Sequence, residues 1–200
     1  LEELIDGQAL RVALTALTSE TGGDGSPLAV RAKVLPLLKE TMAAGRSKAE
    51  AMLTEDGGGT ACAMRLSHLM DEIIRALHDF IVTHVYRAKN PSSGERMAIV
   101  AVGGYGRGTL APGSDIDLLF ILPYKQTPWG EQVTEYILYM LWDLGQKVGH
   151  AVRSVDDCIR MARADMTVRT ATLEARYLTG DRGLFETLVK RFETEIMPKT

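Results

Sequence analysis

Ten residues separate a glycine pair, Gly103-Gly104, from two aspartates, Asp115 and Asp117, at the head of an apolar run. The full stretch, Met97 to Pro123, reads MAIVAVGGYGRGTLAPGSDIDLLFILP. Ala98 to Val102 alternates as a strand does, Gly103 to Gly108 is a glycine-rich turn, and Asp115 to Ile121 resumes as a second strand. Residues i and i+2 of a strand share a face, so Asp115 and Asp117 stand about 6.5–7 Å apart at Cα. Two carboxylates on one face repel each other unless a cation lies between them. Oxygen donors of this kind suit Mg²⁺, which takes one or two carboxylates together with substrate phosphates. Ile116, Leu118 and Phe120 point the other way, into a core.

The turn supplies the other half of a nucleotide site. Gly103 and Gly104 place no side chains in the way of a phosphate approaching backbone N–H groups. Arg107 offers a fork of donors to phosphate oxygens. Ser114, directly before the first aspartate, can donate its hydroxyl to a phosphate or cap the strand entry. Such a set grips a triphosphate while a carboxylate-bound metal polarises its α-phosphate. The chemistry implied is nucleotidyl transfer, with attack at the α-phosphorus and pyrophosphate leaving. Two other glycine motifs fail on spacing. A dinucleotide-binding GxGxxG would need Gly where Thr109 or Ala111 stands. A P-loop needs Gly-Lys-Ser/Thr, and no lysine falls between 97 and 123.

The rest of the chain reads as mostly helical. Leu1–Ser19 has helical apolar spacing, and Thr21–Pro27 is a loop. Leu28–Ala44 reads as a helix kinked or split at Pro36. Gly45 breaks it, and a further helix runs to about Thr54, ended by Gly57-Gly58-Gly59. Thr60–Ala88 is the longest helical pattern, with a stripe through Leu66, Leu69, Met70, Ile73, Ile74, Leu77, Ile81 and Val85. Asn90–Gly94 is a hinge. After the second strand, Tyr124–Pro128 is a loop and Trp129–Leu144 a helix capped by Gly145. Lys147–Arg153 alternates as a third strand. Ser154 and Asp157 form a capping box for a helix to about Arg163. Asp165 caps a helix over Met166–Leu178 stopped by Gly180, and Asp181–Ile196 is the last helix.

The apolar fraction of 46% supports a sizeable core. A net charge of −3 without a Lys/Arg block argues against a broad nucleic-acid face. Cys62 and Cys158 have no paired spacing and read as free thiols in a reducing compartment. No apolar stretch reaches the ~18 residues of a membrane span, and no signal-peptide layout is present, so a cytoplasmic location is expected. The chain starts at Leu1 and reads as a piece of a longer protein.

GGYGRGTLAPGSDIDLLFIL resembles the signature of the nucleotidyltransferase superfamily that includes DNA polymerase beta. More narrowly, VGGYGRG-LAPGSDIDLLF is similar to the N-terminal domain of the bacterial PII uridylyltransferase family. Leu141 to Gly145, Val148 to His150, Val152-Arg153 and Thr170 to Arg176 extend that likeness, which covers roughly residues 35 to 195. The resemblance implies an α+β fold with a polymerase-beta-like core, a small mixed sheet with helices. It implies a helical N-terminal segment over 1–94, a nucleotidyltransferase core over 95–165 and a helical segment over 166–200. It implies UMP transfer from UTP to a tyrosine of the PII signal protein, and places Gly103, Gly104, Asp115 and Asp117 at nucleotide and metal positions. Further domains for uridylyl removal and for glutamine sensing are implied outside these residues. Many superfamily members carry a third carboxylate on a later strand, whereas KVGHAVR has none. Either two aspartates suffice or the third acid comes from elsewhere, Asp156 and Asp157 lying just beyond.

Other residues have plainer readings. His78-Asp79 is an ordinary helix pair rather than a metal site. His150 is a satisfied strand histidine. Arg153 faces either the triphosphate or a surface salt bridge. Tyr105 either stacks on a base or packs, and Glu174 and Arg176 form structural ion pairs. Competing functions keep the reaction with ATP or another acceptor, or keep nucleotide sensing without transfer.

Overall fold

The computed structural model describes residues 4–19, 26–88, 92, 94–124 and 126–197. The chain runs α1 (Gly7–Ser19), α2 (Pro27–Asp56), α3 (Gly59–Phe80), β1 (Ala98–Ala101), a single helical turn α4 (Gly103–Gly106) and β2 (Ile116–Leu122). It continues α5 (Pro128–Asp143), β3 (Val148–Ser154), α6 (Val155–Ala164), α7 (Met166–Leu173), β4 (Arg176–Gly180) and α8 (Arg182–Glu195). The loop expected over Thr21–Pro27 falls largely outside the described residues, as does part of the Asn90–Gly94 hinge. No helix among the described residues is long and apolar enough to cross a membrane.

Short polar side chains start most of the longer helices. Asp6 Oδ1 accepts from the Gln8 and Ala9 amides. Ser154 Oγ accepts from the Asp157 amide at 3.1 Å, and Asp165 Oδ1 accepts from Thr167 at 2.7 Å. Both caps are where the sequence expects them. Gly145 ends α5 with a left-handed φ of 75°, its amide and that of Gln146 bonding back to Trp142 and Leu141.

The sheet has the order β3-β2-β1-β4, with β1 antiparallel to both neighbours and β2 parallel to β3. One face, with Ile99, Ala101, Ile116, Leu118, Phe120 and Leu122, joins the large core built with α1, α2, α3 and α5. The other face, with Ala98, Val100, Leu119 and Ile121, packs on α6 and α8 through Val155, Cys158, Ile159, Leu184, Leu188 and Phe192. Helices therefore cover both faces of a small mixed sheet. Asp117 shares its face with Leu119 and Ile121, so only the head of β2 is open on that side.

Three local expectations are corrected. First, α2 is one helix of 30 residues that neither splits at Pro36 nor breaks at Gly45. Its buried stripe, Val30, Val34, Leu38, Met42, Gly45 and Ala49, runs through both positions. Pro36 is exposed, so the carbonyl it leaves unbonded faces water. Gly45 is a contact point rather than a breaker: a Cβ there would meet Leu69 Cδ1 at 2.5 Å. Second, α3 ends in a π-helical turn, Ile81–Val85, closed by the Tyr86 amide on the Ile81 carbonyl. Third, the helix expected over Met166–Leu178 stops at Leu173, and residues 176–180 form the fourth strand. That strand is held from α3, where Arg75 Nε donates to the Leu178 carbonyl at 2.9 Å and His78 Nδ1 hydrogen-bonds Thr179 Oγ1 at 3.3 Å. These partners lie more than 100 residues away in sequence, beyond the reach of local periodicity.

Candidate active site

The glycine turn is sewn onto the head of β2. The Val102 amide donates to the Asp117 carbonyl at 3.0 Å, and α4 follows at once. Gly103 opens that turn at φ 59°, a backbone region that suits glycine. The first amides of the turn have no intrahelical acceptor. A Cβ on Gly103 would lie 3.2 Å from Asp117 Oδ2. On the other side the parallel register sets Gly149 of β3 opposite Asp117, and a Cβ there would lie only 2.4 Å from Asp117 Oδ1. The carboxylate thus fills a slot that exists because two positions lack side chains.

Asp115 is exposed on the loop one residue before β2, and Asp117 is half-buried within it. Burial first, and the neighbouring Asp115 charge second, push the Asp117 carboxyl above its ordinary range. Neither side chain hydrogen-bonds or ion-pairs with any described residue. Such a pair is an uncompensated negative site of hard oxygens, which fits a divalent cation. Among the described residues no group of three or more His, Cys, Asp and Glu gathers as a metal cluster. Asp156 and Asp157 do not supply a third acid: Asp156 pairs with Arg191, while Asp157 pairs with Arg160 at 2.6 Å and hydrogen-bonds Ser154.

A cavity of about 310 Å³ opens beside Asp117, lined among others by Gly103, Gly149, Arg153, Thr167 and Thr172. Gly104 adjoins it in sequence, and the space a Gly104 Cβ would take lies 3.4 Å from Arg107 Nη2. Arg107 is exposed and pairs with Glu174 at 2.7 Å. Ser114 borders a different cavity, of about 530 Å³, which α2, α3 and the 110–114 loop enclose with Leu110 and Lys147. The structure therefore brings Gly103, Asp115 and Asp117 together, sets Arg107 beside Gly104 in an ion pair, and turns Ser114 toward separate space.

A buried network braces the turn from behind. Tyr105 Oη donates to Asp71 Oδ1 at 2.6 Å, and Arg176 Nη1 pairs with Asp71 Oδ2 at 2.5 Å. Arg176 also donates to the Tyr105 carbonyl at 3.1 Å, the Gly106 carbonyl at 3.2 Å and Ser67 Oγ at 3.3 Å. Tyr105 is 1% exposed, so it packs and has no face for a base. Burial, reinforced by the Asp71 charge, holds its phenol proton well above the usual tyrosine range. Glu174 and Arg176 are ion-paired, as their sequence context suggests. His78 is buried against Thr179, and Asp79 pairs with Arg11 at 2.9 Å, so that dipeptide is structural. His150 is exposed and meets the Trp142 ring edge-on at 6.2 Å.

Gly149 and Asp71 are site residues that the sequence reading passes over. A glycine inside a strand pattern is itself a signal of close backbone approach, but what approaches Gly149 becomes visible only with the β2–β3 register. Asp71 carries no comparable signal, since it reads as a polar break in a helix stripe.

A family model described as "Nucleotidyltransferase domain" matches residues 87–175, the segment that holds the turn and both aspartates. The chain is 56% identical over 195 residues to a protein named bifunctional uridylyltransferase/uridylyl-removing enzyme from Bradyrhizobium sp. (strain BTAi1), covering 98% of this chain and 21% of that protein. A protein of the same name from Bradyrhizobium diazoefficiens is 54% identical over 200 residues, covering 100% of this chain and 21% of the relative. The chain thus spans about a fifth of the length of the curated relatives it matches.

Proposed function

We propose that this chain, which carries the nucleotidyltransferase domain and resembles uridylyltransferases along its whole length, transfers UMP from UTP to a tyrosine of the PII signal protein. Pyrophosphate is the leaving group. The observation that carries the reading is Asp117 against Gly103 of the glycine turn, with Asp115 two residues before it and no cationic partner for either among the described residues. These two carboxylates would hold a divalent cation, Mg²⁺ on this reading. When bound, it supplies charge neutralisation for the triphosphate and polarises the α-phosphorus. Gly103 and Gly104 let the phosphates reach the amides of α4. Arg107, on release from Glu174, adds a donor fork at the periphery, whereas Ser114, on the separate cavity, takes no part in the phosphate grip. The acceptor tyrosine oxygen bonds to the α-phosphorus as the bond to pyrophosphate breaks, and the phenol proton passes to water. Uridylyl removal and glutamine sensing belong, on this reading, to sequence beyond these 200 residues.

The test is pyrophosphate release from UTP with Mg²⁺, with and without PII, alongside the intact mass of PII. Wild type is expected to add one UMP to PII, and ATP is expected not to replace UTP. Asp115→Asn and Asp117→Asn are expected to lose more than about 100-fold in rate, since metal ligation contributes several kcal/mol to the transition state. Their thermal midpoints stay near that of wild type. Full transfer by Asp117→Asn would overturn the assignment.

A further inference from the structure

Arg153 stands on β3 four residues beyond Gly149, on the same face of the strand as Gly149 and Ala151. The in-register pairing with β2 makes that the Asp117 face. Gly149 and Ala151, the same-face residues of β3 between Arg153 and the head of β2, are small, and both line the cavity with it. Arg153 lines the same cavity as Gly103 and Asp117, and is half-buried.

Its electrostatic situation is unusual. The acids nearest in sequence are both committed elsewhere: Asp156 to Arg191, and Asp157 to Arg160 and Ser154. No ion pair or hydrogen bond joins Arg153 to Asp117 or to any other described residue. Four strand steps separate the Arg153 and Gly149 backbones by about 13 Å, more than a guanidinium on its stem can close. One cavity therefore carries the unpaired Asp117 carboxylate, with Asp115 two residues before it in sequence, and the unpaired Arg153 guanidinium. A half-buried cation without a partner is costly to keep, and a cavity with this pattern fits a ligand that is itself anionic and bridges to a cation on the carboxylates. A polyphosphate has that chemistry, and a guanidinium fork matches phosphate oxygens.

We propose that Arg153 binds the terminal phosphates of the nucleoside triphosphate, the part that leaves as pyrophosphate. The assignment rests on the nucleotidyl-transfer reading and deepens it. On this view the strand that lacks a third carboxylate contributes a cation instead. Arg153 acts on the leaving group, whereas Asp115 and Asp117 act through the metal.

The test is equilibrium binding to the intact protein, with Ca²⁺ in place of Mg²⁺ to hold back turnover, using UTP, UMP and inorganic pyrophosphate as probes. Arg153→Gln is expected to weaken UTP and pyrophosphate binding at least tenfold and to leave UMP binding within twofold. Arg153→Lys keeps an intermediate affinity, and Lys190→Gln, on the exposed face of α8, matches wild type in every arm. Thermal midpoints are measured on each variant, and a folded Arg153→Lys carries the comparison if Arg153→Gln is unstable. Unchanged UTP affinity in both Arg153 variants overturns the proposal and leaves the transfer reading standing. Equal losses for UTP and UMP also overturn it, since they place Arg153 on the nucleoside or α-phosphate. Wild type that binds neither UTP nor pyrophosphate overturns the transfer reading and this proposal together.

Discussion

One methyl group at position 149 is enough to disturb the site without touching the fold. Gly149 has no positive φ, so its backbone accepts alanine, and a strand residue gains from losing glycine's extra chain freedom. Yet the new Cβ would sit 2.4 Å from Asp117 Oδ1, where a carbon and an oxygen in contact keep about 3.3 Å. The carboxylate must retreat by roughly 1 Å, and displacement on that scale costs about 100-fold in rate. Gly149→Ala is therefore expected to lose about 100-fold in the proposed UMP transfer while its thermal midpoint holds or rises. In an Asp117→Asn background the same change should cost nothing more, because both act on one carboxylate. Rate and melting measured on the four proteins check this. At this scale the sequence is informative where the signal is local. The Asp115–Asp117 spacing places two carboxylates at the head of a strand, of which Asp117 falls within β2 and Asp115 just before it, and a run of glycines marks the turn that meets Asp117. Arg107 and Ser114 have the right chemistry, but their surroundings depend on distant partners: Glu174, 67 residues on, pairs with Arg107, and the packing of α2 and α3 makes the space near Ser114.

Helix α2 shows how an element can override its own breakers. The intrinsic cost of Gly45 in a helix is about 1 kcal/mol against alanine, so removing the glycine ought to stabilise. Packing points the other way, because a Cβ at 45 would press Leu69 Cδ1 at 2.5 Å and Cδ2 at 2.8 Å. Leu69 is 2% exposed and has little room to turn. Overpacking of this kind costs about 1–3 kcal/mol, which outweighs the propensity gain. Gly45→Ala is expected to destabilise the chain by about 1 kcal/mol, read from the urea midpoint. In a Leu69→Ala background it should become neutral or stabilising. Sequence periodicity recovers the elements with long stripes, α3 and α5, and the capped starts of α6 and α7. It misjudges α2 because a proline and a glycine are read as local rules, while their cost depends on which side faces water and which faces α3. It misses β4 because five residues carry too short a pattern to separate strand from helix, and the deciding partners, Arg75 and His78, sit on α3.

The order of the chain, a helical half followed by alternating strands and helices, is readable from the sequence, and it fits the sheet with helices on both faces. What the order does not convey is which late elements the early site depends on. The matched nucleotidyltransferase segment ends at residue 175, one residue before β4 begins. Three supports for the site lie outside it. Arg176, which ties Tyr105 and Gly106 to Asp71, is the first residue of β4. Asp71 itself is on α3, before residue 87. Leu184, Leu188 and Phe192 of α8 cover the face formed by Ala98, Val100, Leu119 and Ile121. Cutting the chain to 87–175 would leave that face covered by α6 alone, remove the α3 side of the larger core and unbrace the glycine turn. Hydrophobic burial dominates the stability of a small domain, so a segment left with α5 alone on one face and α6 on the other lacks most of the burial that holds the sheet. The 87–175 segment is expected to give no cooperative unfolding transition and poor amide dispersion by NMR, whereas all 200 residues unfold in one transition. A well-dispersed spectrum from 87–175, with UTP binding retained, would show that the brace on the turn is dispensable.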